Sequence, residues 1–244
     1  MFVLCNNLIY IKMMATAVAG VDCFNNWVSG VASSGTFVKN KAFSMETGVS
    51  GIPEGWVAQE YVEMGDGLKW AIMNVGASSI AGYGDYFAWG ETQPKTNYSS
   101  GTYFDKTDSG FNKYALDKKT QLELTDDAAR VNLGGTWRIP TSEEWLALKN
   151  SNNFDWVWNS ASNGYEVTSK IPGYSGNSIF LPAAGMMVNT SGFSVGSVGN
   201  YWTSTLSSND SGRAYEVHFN SSGVDATNNS GVRSYGRPVR AVFD

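Results

Sequence analysis

The sequence predicts an α+β fold in which short antiparallel strands and long ordered loops accompany two helices, preceded by a small β-rich N-terminal segment. Three observations carry that expectation. The 244 residues include 27 glycines and 6 prolines, a glycine share above the usual ~7% that favours turns and short strands. Capped helical patterns occur twice. Elsewhere, apolar residues come in short runs separated by Gly, Ser and Asn, the punctuation of strands and turns.

Residues 1–55 supply the N-terminal segment. FVLCNNLIYI alternates imperfectly, and CFNNWVSGV and GTFVKNKAF add short apolar runs. The turn cluster SGIPEGW, with Pro53 between two glycines, marks its boundary with a second domain over 56–244. Gly65-Asp66-Gly67 fits a hairpin turn between a strand ending near Met64 and one over 68–75. The stretch 77–109, rich in Gly, Ser, Tyr and Thr, reads as an ordered loop anchored by Phe87 and Trp89.

The first helical pattern spans 122–133. Thr125 stands as its N-cap, Asp126 and Asp127 lie in its first turn, and Gly134-Gly135 stops it. The second opens on a capping box, in which the Thr141 hydroxyl accepts from the third helical N–H while Glu144 reaches back to the cap. Trp145, Leu146 and Leu148 are its expected buried face, and it should end near Ser151. Further strands are expected at 165–169, 178–181, 200–205, 214–220 and 238–243. In 214–220, Tyr215, Val217 and Phe219 alternate with Ala214, Glu216 and His218, so one face should be buried and the other free to meet solvent or a ligand.

Composition narrows the function. The formal net charge is −5, which argues against the basic surface that nucleic-acid binding uses. His218 is the single histidine, and Cys5 and Cys23 are the two cysteines, too few for a multi-histidine or Cys/His metal site. No apolar run is long enough for a membrane-spanning helix. Ala17-Val18-Ala19 before Gly20 mimics a signal-peptidase site, but Asn6, Asn7 and Lys12 interrupt the apolar stretch and no cation precedes it. A fragment of a longer chain is therefore the stronger expectation.

The carboxylate pairs Asp126-Asp127 and Glu143-Glu144 could serve glycoside cleavage, yet capping and the helix dipole already explain acids in first turns. Trp156 and Trp158, two apart on a strand, could form a sugar-stacking platform; core packing is favoured, because large aromatics dominate buried contacts. Asp85, Glu91 and Asp105 are available to calcium, but no spacing favours it. Five Asn-x-Ser/Thr strings, beginning at Asn97, Asn189, Asn209, Asn220 and Asn228, are expected of so Asn- and Ser-rich a chain. No catalytic residue, no metal site and no cofactor is assigned.

Six motifs occur in order: LKWAIMNVGA (68–77), YGDYFAWGET (83–92), DDAARVNLGGTWRIPTSEEW (126–145), NSIFLPAAG (177–185), NYWTST (200–205) and RPVRAV (237–242). Together they resemble the Bacteroidetes and Fibrobacter "major paralogous" domain over roughly 56–244. That resemblance implies a C-type lectin-like fold, similar to formylglycine-generating-enzyme domains. The copper and iron sites of enzymatic relatives need a cysteine pair or three histidines within the matched region, which this chain lacks. The Glu-Pro-Asn, Gln-Pro-Asp and Trp-Asn-Asp strings of calcium-dependent lectins do not occur either. Residues 1–55 resemble the closing segment of repeat-type surface proteins from the same bacteria.

Many members of that family resemble the variable proteins of diversity-generating retroelements, in which adenines in the last part of the gene are rewritten. All eleven lysines lie at or before Lys170, and 206–237 contains no Lys, Gln, Met or Trp. Rewritten Asn codons yield such small polar residues, with occasional Tyr or His; Glu216 needs another starting codon. A loop that is merely a loop shares much of this composition.

The resemblance implies a non-enzymatic, receptor-binding or adhesin-type protein on a bacterial cell surface or phage virion, recognising a protein or a glycan. The alternatives are a structural or adhesive module of a surface fibre and, further behind, a glycan-acting hydrolase. Its anchors would be Tyr201, Trp202, Tyr215, Val217, Phe219, Val224, Val239 and Val242. Ser208, Asn209, Asp210, Glu216, His218, Gly223, Asp225, Ser230, Ser234, Tyr235 and Arg237 would point outward to the ligand. Small polar groups with an aromatic and an Arg are the vocabulary of adaptable paratopes. Tyr235 and Arg237 are the expected hot spots.

Overall fold

The computed structural model describes residues 2, 4–15, 24–107, 110–111 and 113–244. Cys23 and the stretch 17–20 lie outside the described residues. The chain divides into two compact units, Met1–Glu63 and Met64–Asp244.

In the first unit, β1 (Tyr10–Lys12), β2 (Gly35–Asn40) and β3 (Trp56–Glu63) run parallel, with β2 pairing with both others. Ile11, Trp27, Phe37, Ile52 and Trp56 form its apolar core. The two indoles keep their N–H groups satisfied on carbonyls, Trp27 on Gly51 at 3.0 Å and Trp56 on Ala32 at 2.8 Å. The division follows Glu63 rather than Gly55, because 56–63 is a strand paired along the whole of β2.

The second unit opens on β4 (Lys69–Asn74), to which the last strand, β15 (Arg240–Phe243), returns antiparallel. Between them come the short hairpin of β5 (Lys106–Thr107) and β6 (Gly110–Phe111), and helices α1 (Ala128–Leu133) and α2 (Ser142–Leu148). Three further antiparallel sets follow. They are β7 (Phe154–Asn159), β8 (Gly164–Ser169) and β9 (Ser178–Pro182); the pair β10 (Met186–Val188) and β11 (Ser191–Phe193); and β12 (Val198–Leu206), β13 (Arg213–Asn220) and β14 (Gly223–Val232).

The expected α+β, C-type lectin-like arrangement does not hold. Strand accounts for 39% and helix for 9% of the chain, the strands spread over several small sheets, so the architecture is mainly β. The helix expected over 122–133 loses its first half: Leu124–Asp126 is a tight 3-10 turn, and Asp127 in extended backbone starts α1 afresh. The Asp127 carboxylate accepts from Arg130 N–H at 3.0 Å and from Ile139 N–H at 2.8 Å, so one side chain both caps the helix and ties it to the next segment. Burial pushes its pKa up, against the pull of the backbone N–H groups. The Thr141–Glu144 capping box forms as expected, but Leu146 is exposed while Trp145 and Leu148 are buried.

The second unit's core is built on tryptophan. Trp70, Trp89, Trp137, Trp145 and Trp202 are all buried, as is Phe87, and Trp70 meets Trp145 edge-on at 4.9 Å. Two buried arginines staple its layers. Arg240 donates to the Asn74 side chain and to the carbonyls of Ala71 and Phe180, joining β15 to β4 and β9. Burial draws its pKa down to about 10. Arg233 pairs with Asp105 at 2.6 Å and lies among the rings of Trp89, Tyr103, Phe111 and Tyr114.

The β13–β14 hairpin contains the strand expected over 214–220, which is β13, and the polar stretch after it, whose loop-like composition nonetheless forms β14. The hairpin's register steps twice, between Ala214 and Glu216 and between Glu216 and His218. On β14, the Asp225 carboxylate accepts from Thr227 N–H and hydroxyl, and the Asn228 side chain accepts from the same groups of Ser230. These local bonds satisfy backbone groups that the stepped ladder leaves over.

Candidate functional site

A concave groove of about 360 Å³ opens on the β12–β14 sheet. Cross-strand pairing lays out its floor. Asn200 stands opposite His218, and Glu216 stands between Trp202 on one side and Asn228 on the other. Side chains two apart on a strand share a face, so Glu216 and His218 both contribute to the groove. Met186 of β10, Val198 of β12, Val232 and Tyr235 give it apolar and aromatic walls, and Arg213 and Ser230 complete its polar edge.

The wall is fixed through its backbone. Gly236 exchanges hydrogen bonds with Met187, Arg237 exchanges them with Phe87, and Tyr235 N–H donates to Val232 C=O. Beneath it, Arg237 lies with its guanidinium 4.2 Å from the Trp202 ring centre, and its Nε donates to Glu216. Burial pulls the Arg237 pKa down, while the Glu216 charge and hydrogen bond pull it back up. Beside this pair, His218 Nδ1 is 2.9 Å from Asn200 Oδ1. Asp225 is held below the usual carboxylate pKa. Desolvation opposes that shift, but the Thr227 N–H and hydroxyl outweigh it, with Lys149 and His218 assisting.

Of the expected site residues, Glu216, His218, Ser230, Tyr235 and Arg237 come together in the groove. Ser208, Asn209, Asp210, Gly223 and Asp225 are exposed but do not line it. Asp210 instead accepts from Arg213 Nε at 3.1 Å, and the Ser208 hydroxyl lies 3.3 Å from that of Tyr215.

Outward presentation is wrong for three residues: Glu216, Ser234 and Arg237 are only 4%, 4% and 3% exposed. A paired glutamate and arginine stacked on an indole can be buried because each neutralises the other, and Ser234 lies in the segment anchored by buried Arg233. Among the expected anchors, Tyr215 and Val224 are half-buried, whereas Tyr201, Trp202, Val217, Phe219, Val239 and Val242 are buried.

The groove residues that sequence reasoning missed include Asn200, Arg213 and Asn228. For two of them the signal was register: once β12 and β14 are aligned on β13, Asn200 falls opposite His218 and Asn228 opposite Glu216, whereas Arg213 stands at the start of β13 opposite Val232.

The other candidates resolve into structure. Asp126 accepts from the Tyr114 hydroxyl at 2.6 Å and pairs with Lys113, and Glu144 is held by both terminal nitrogens of Arg138. Trp156 and Trp158 pack edge-on against Tyr165 at 5.6 and 5.3 Å. Among the described residues, no three His, Cys, Asp or Glu side chains gather to hold a metal ion, and no helix is long and apolar enough to cross a membrane. Comparison of the chain with protein-family models, with curated proteins and with solved structures finds no match.

Proposed function

We propose that this chain is a non-enzymatic recognition protein, of receptor-binding or adhesin type, whose groove on the β12–β14 sheet grips a protein or glycan on a cell surface. One observation carries the reading. Five of the eleven residues expected at the binding face, Glu216, His218, Ser230, Tyr235 and Arg237, line one concavity whose floor is a strand-paired sheet and whose wall is locked by reciprocal backbone hydrogen bonds. A preorganised floor of this kind lowers the cost of ordering on binding. The exposed Ser, Asn and Asp residues around it are free to vary without touching the core.

The reading extends to diversification of the gene's last part by a retroelement, with the product displayed on a phage or a bacterial surface. The exchangeable set then shrinks to exposed or half-exposed positions such as Asn209, His218, Asp225, Ser230 and Tyr235. Glu216, Ser234 and Arg237 become fixed support. Sequencing the same locus in sibling genomes tests this. The expected result is substitutions at adenine positions of codons 206–237 that spare the buried three, beside a reverse-transcriptase gene and a template copy. Changes scattered evenly along the gene would sink it.

A further inference from the structure

We propose, resting on the reading of the groove as the binding face, that its ligand is a neutral sugar ring. The Glu216–Arg237 pair grips two adjacent hydroxyls, and Tyr235 packs against the ring. The pair is only half used by the protein. Arg237 commits Nε to Glu216 and Nη1 to the Val232 carbonyl, and Glu216 commits Oε2. Arg237 Nη2 and Glu216 Oε1 have no hydrogen-bond partner among the described residues. Neither atom is sealed in, because the enclosed side-chain atoms left unpartnered are Asn97 Oδ1 and Trp145 Nε1. Both residues line the groove, so the pair leaves it one donor and one acceptor, carried on the same guanidinium and carboxylate that make the Nε–Oε2 contact.

That offer selects a chemistry. A ligand carboxylate seated on Arg237 would face the Glu216 oxygen, and an ammonium seated on Glu216 would face the guanidinium; like charges brought together in this way are costly. A neutral group that both gives and takes a hydrogen bond meets no such penalty. Two hydroxyls on neighbouring ring carbons do so, one donating to Oε1 and the other accepting from Nη2. A trans backbone amide points its N–H and C=O in opposite directions, so one backbone amide cannot reach both atoms; an Asn or Gln side-chain amide can, and the peptide library is the arm that detects it. Tyr235, Met186 and Val198 supply the apolar surface that the C–H face of a sugar requires, and about 360 Å³ lies in the range of small-ligand pockets. The pair is also preorganised, since the Trp202 stack and the Val232 carbonyl hold the guanidinium before any ligand arrives.

The test places the full chain on immobilised glycans ending in mannose, galactose, glucose or N-acetylglucosamine, with a sialylated set and a random peptide library alongside. Saturable binding to at least one neutral glycan is expected, unchanged by EDTA. Mild periodate, which cleaves the carbon–carbon bond between adjacent hydroxyls, should weaken it at least about tenfold, as should Tyr235→Ala. Because Glu216→Gln can unfold the chain, Tyr235→Ala is the informative variant, with circular dichroism as the folding check. Absence of neutral-glycan binding, or binding indifferent to periodate or to Tyr235→Ala, overturns the assignment. Peptide binding that depends on Tyr235, without glycan binding, removes the sugar but keeps the groove. Loss of Tyr235 dependence for every probe removes both.

Discussion

The guanidinium of Arg237 lies 4.2 Å above the centre of the Trp202 ring while its Nε donates to Glu216, with all three residues buried. A single truncation strands a charge in the interior. Arg237→Ala or Glu216→Ala is therefore expected to cost about 3–5 kcal/mol. Glu216→Met with Arg237→Leu should recover part of that loss, because the double variant leaves no unpaired charge. Urea unfolding midpoints of the two single variants and the double variant measure it, and equal losses in all three would contradict the pairing.

Gly231 sits where a side chain would strike the same indole. A Cβ there would come within 2.6 Å of Trp202 Cζ3 and 2.9 Å of the Ala214 carbonyl. Gly231→Ala is expected to destabilise by about 1–3 kcal/mol through overpacking. It should also alter tryptophan fluorescence, since Trp202 must move. An unchanged spectrum with an unchanged melting temperature would refute the close approach.

Alkali should unfold the second unit in a defined window. Burial raises the phenol pKa of Tyr86 from 10.0 to about 12, and raises those of Tyr103 and Tyr201 as well. The folded chain thus holds these protons more tightly than the unfolded chain. Stability is intact below pH 10.0 and falls as pH rises from there through about 12. Tyr86→Phe should show a shallower decline in urea midpoint over that interval, and identical slopes would contradict the assignment.

Exposed positions around the hairpin should tolerate exchange. Ser208→Ala and Asn209→Ala are expected to stay within about 0.5 kcal/mol of the parent, because neither side chain is buried. A large loss at either would show that the surface carries stability, and the separation between groove and core would fail.

What was legible in the sequence was what local chemistry decides. The Thr141–Glu144 box needs partners within one turn, and it forms. Val217 and Phe219 are buried as their alternation in β13 implies. Asp127 displaced Thr125 as the helix start because its carboxylate also holds Ile139 N–H, a contact no local window contains. β14 escaped notice because its Asn, Ser, Thr and Gly residues have weak strand preference; pairing with β13 makes it a strand. Glu216 and Arg237 looked like surface residues because each is tolerable inside only beside the other and Trp202. The lectin-like outline failed because the ordered motifs are met here by several small sheets, with little helix among them.

β14 is the outer member of its sheet, and its two register steps interrupt the even spacing of amides along that rim. A rim broken in this way is a poor template for a foreign strand. Copies brought together at high local concentration would then resist zipping into aggregates, and each would keep its concavity open.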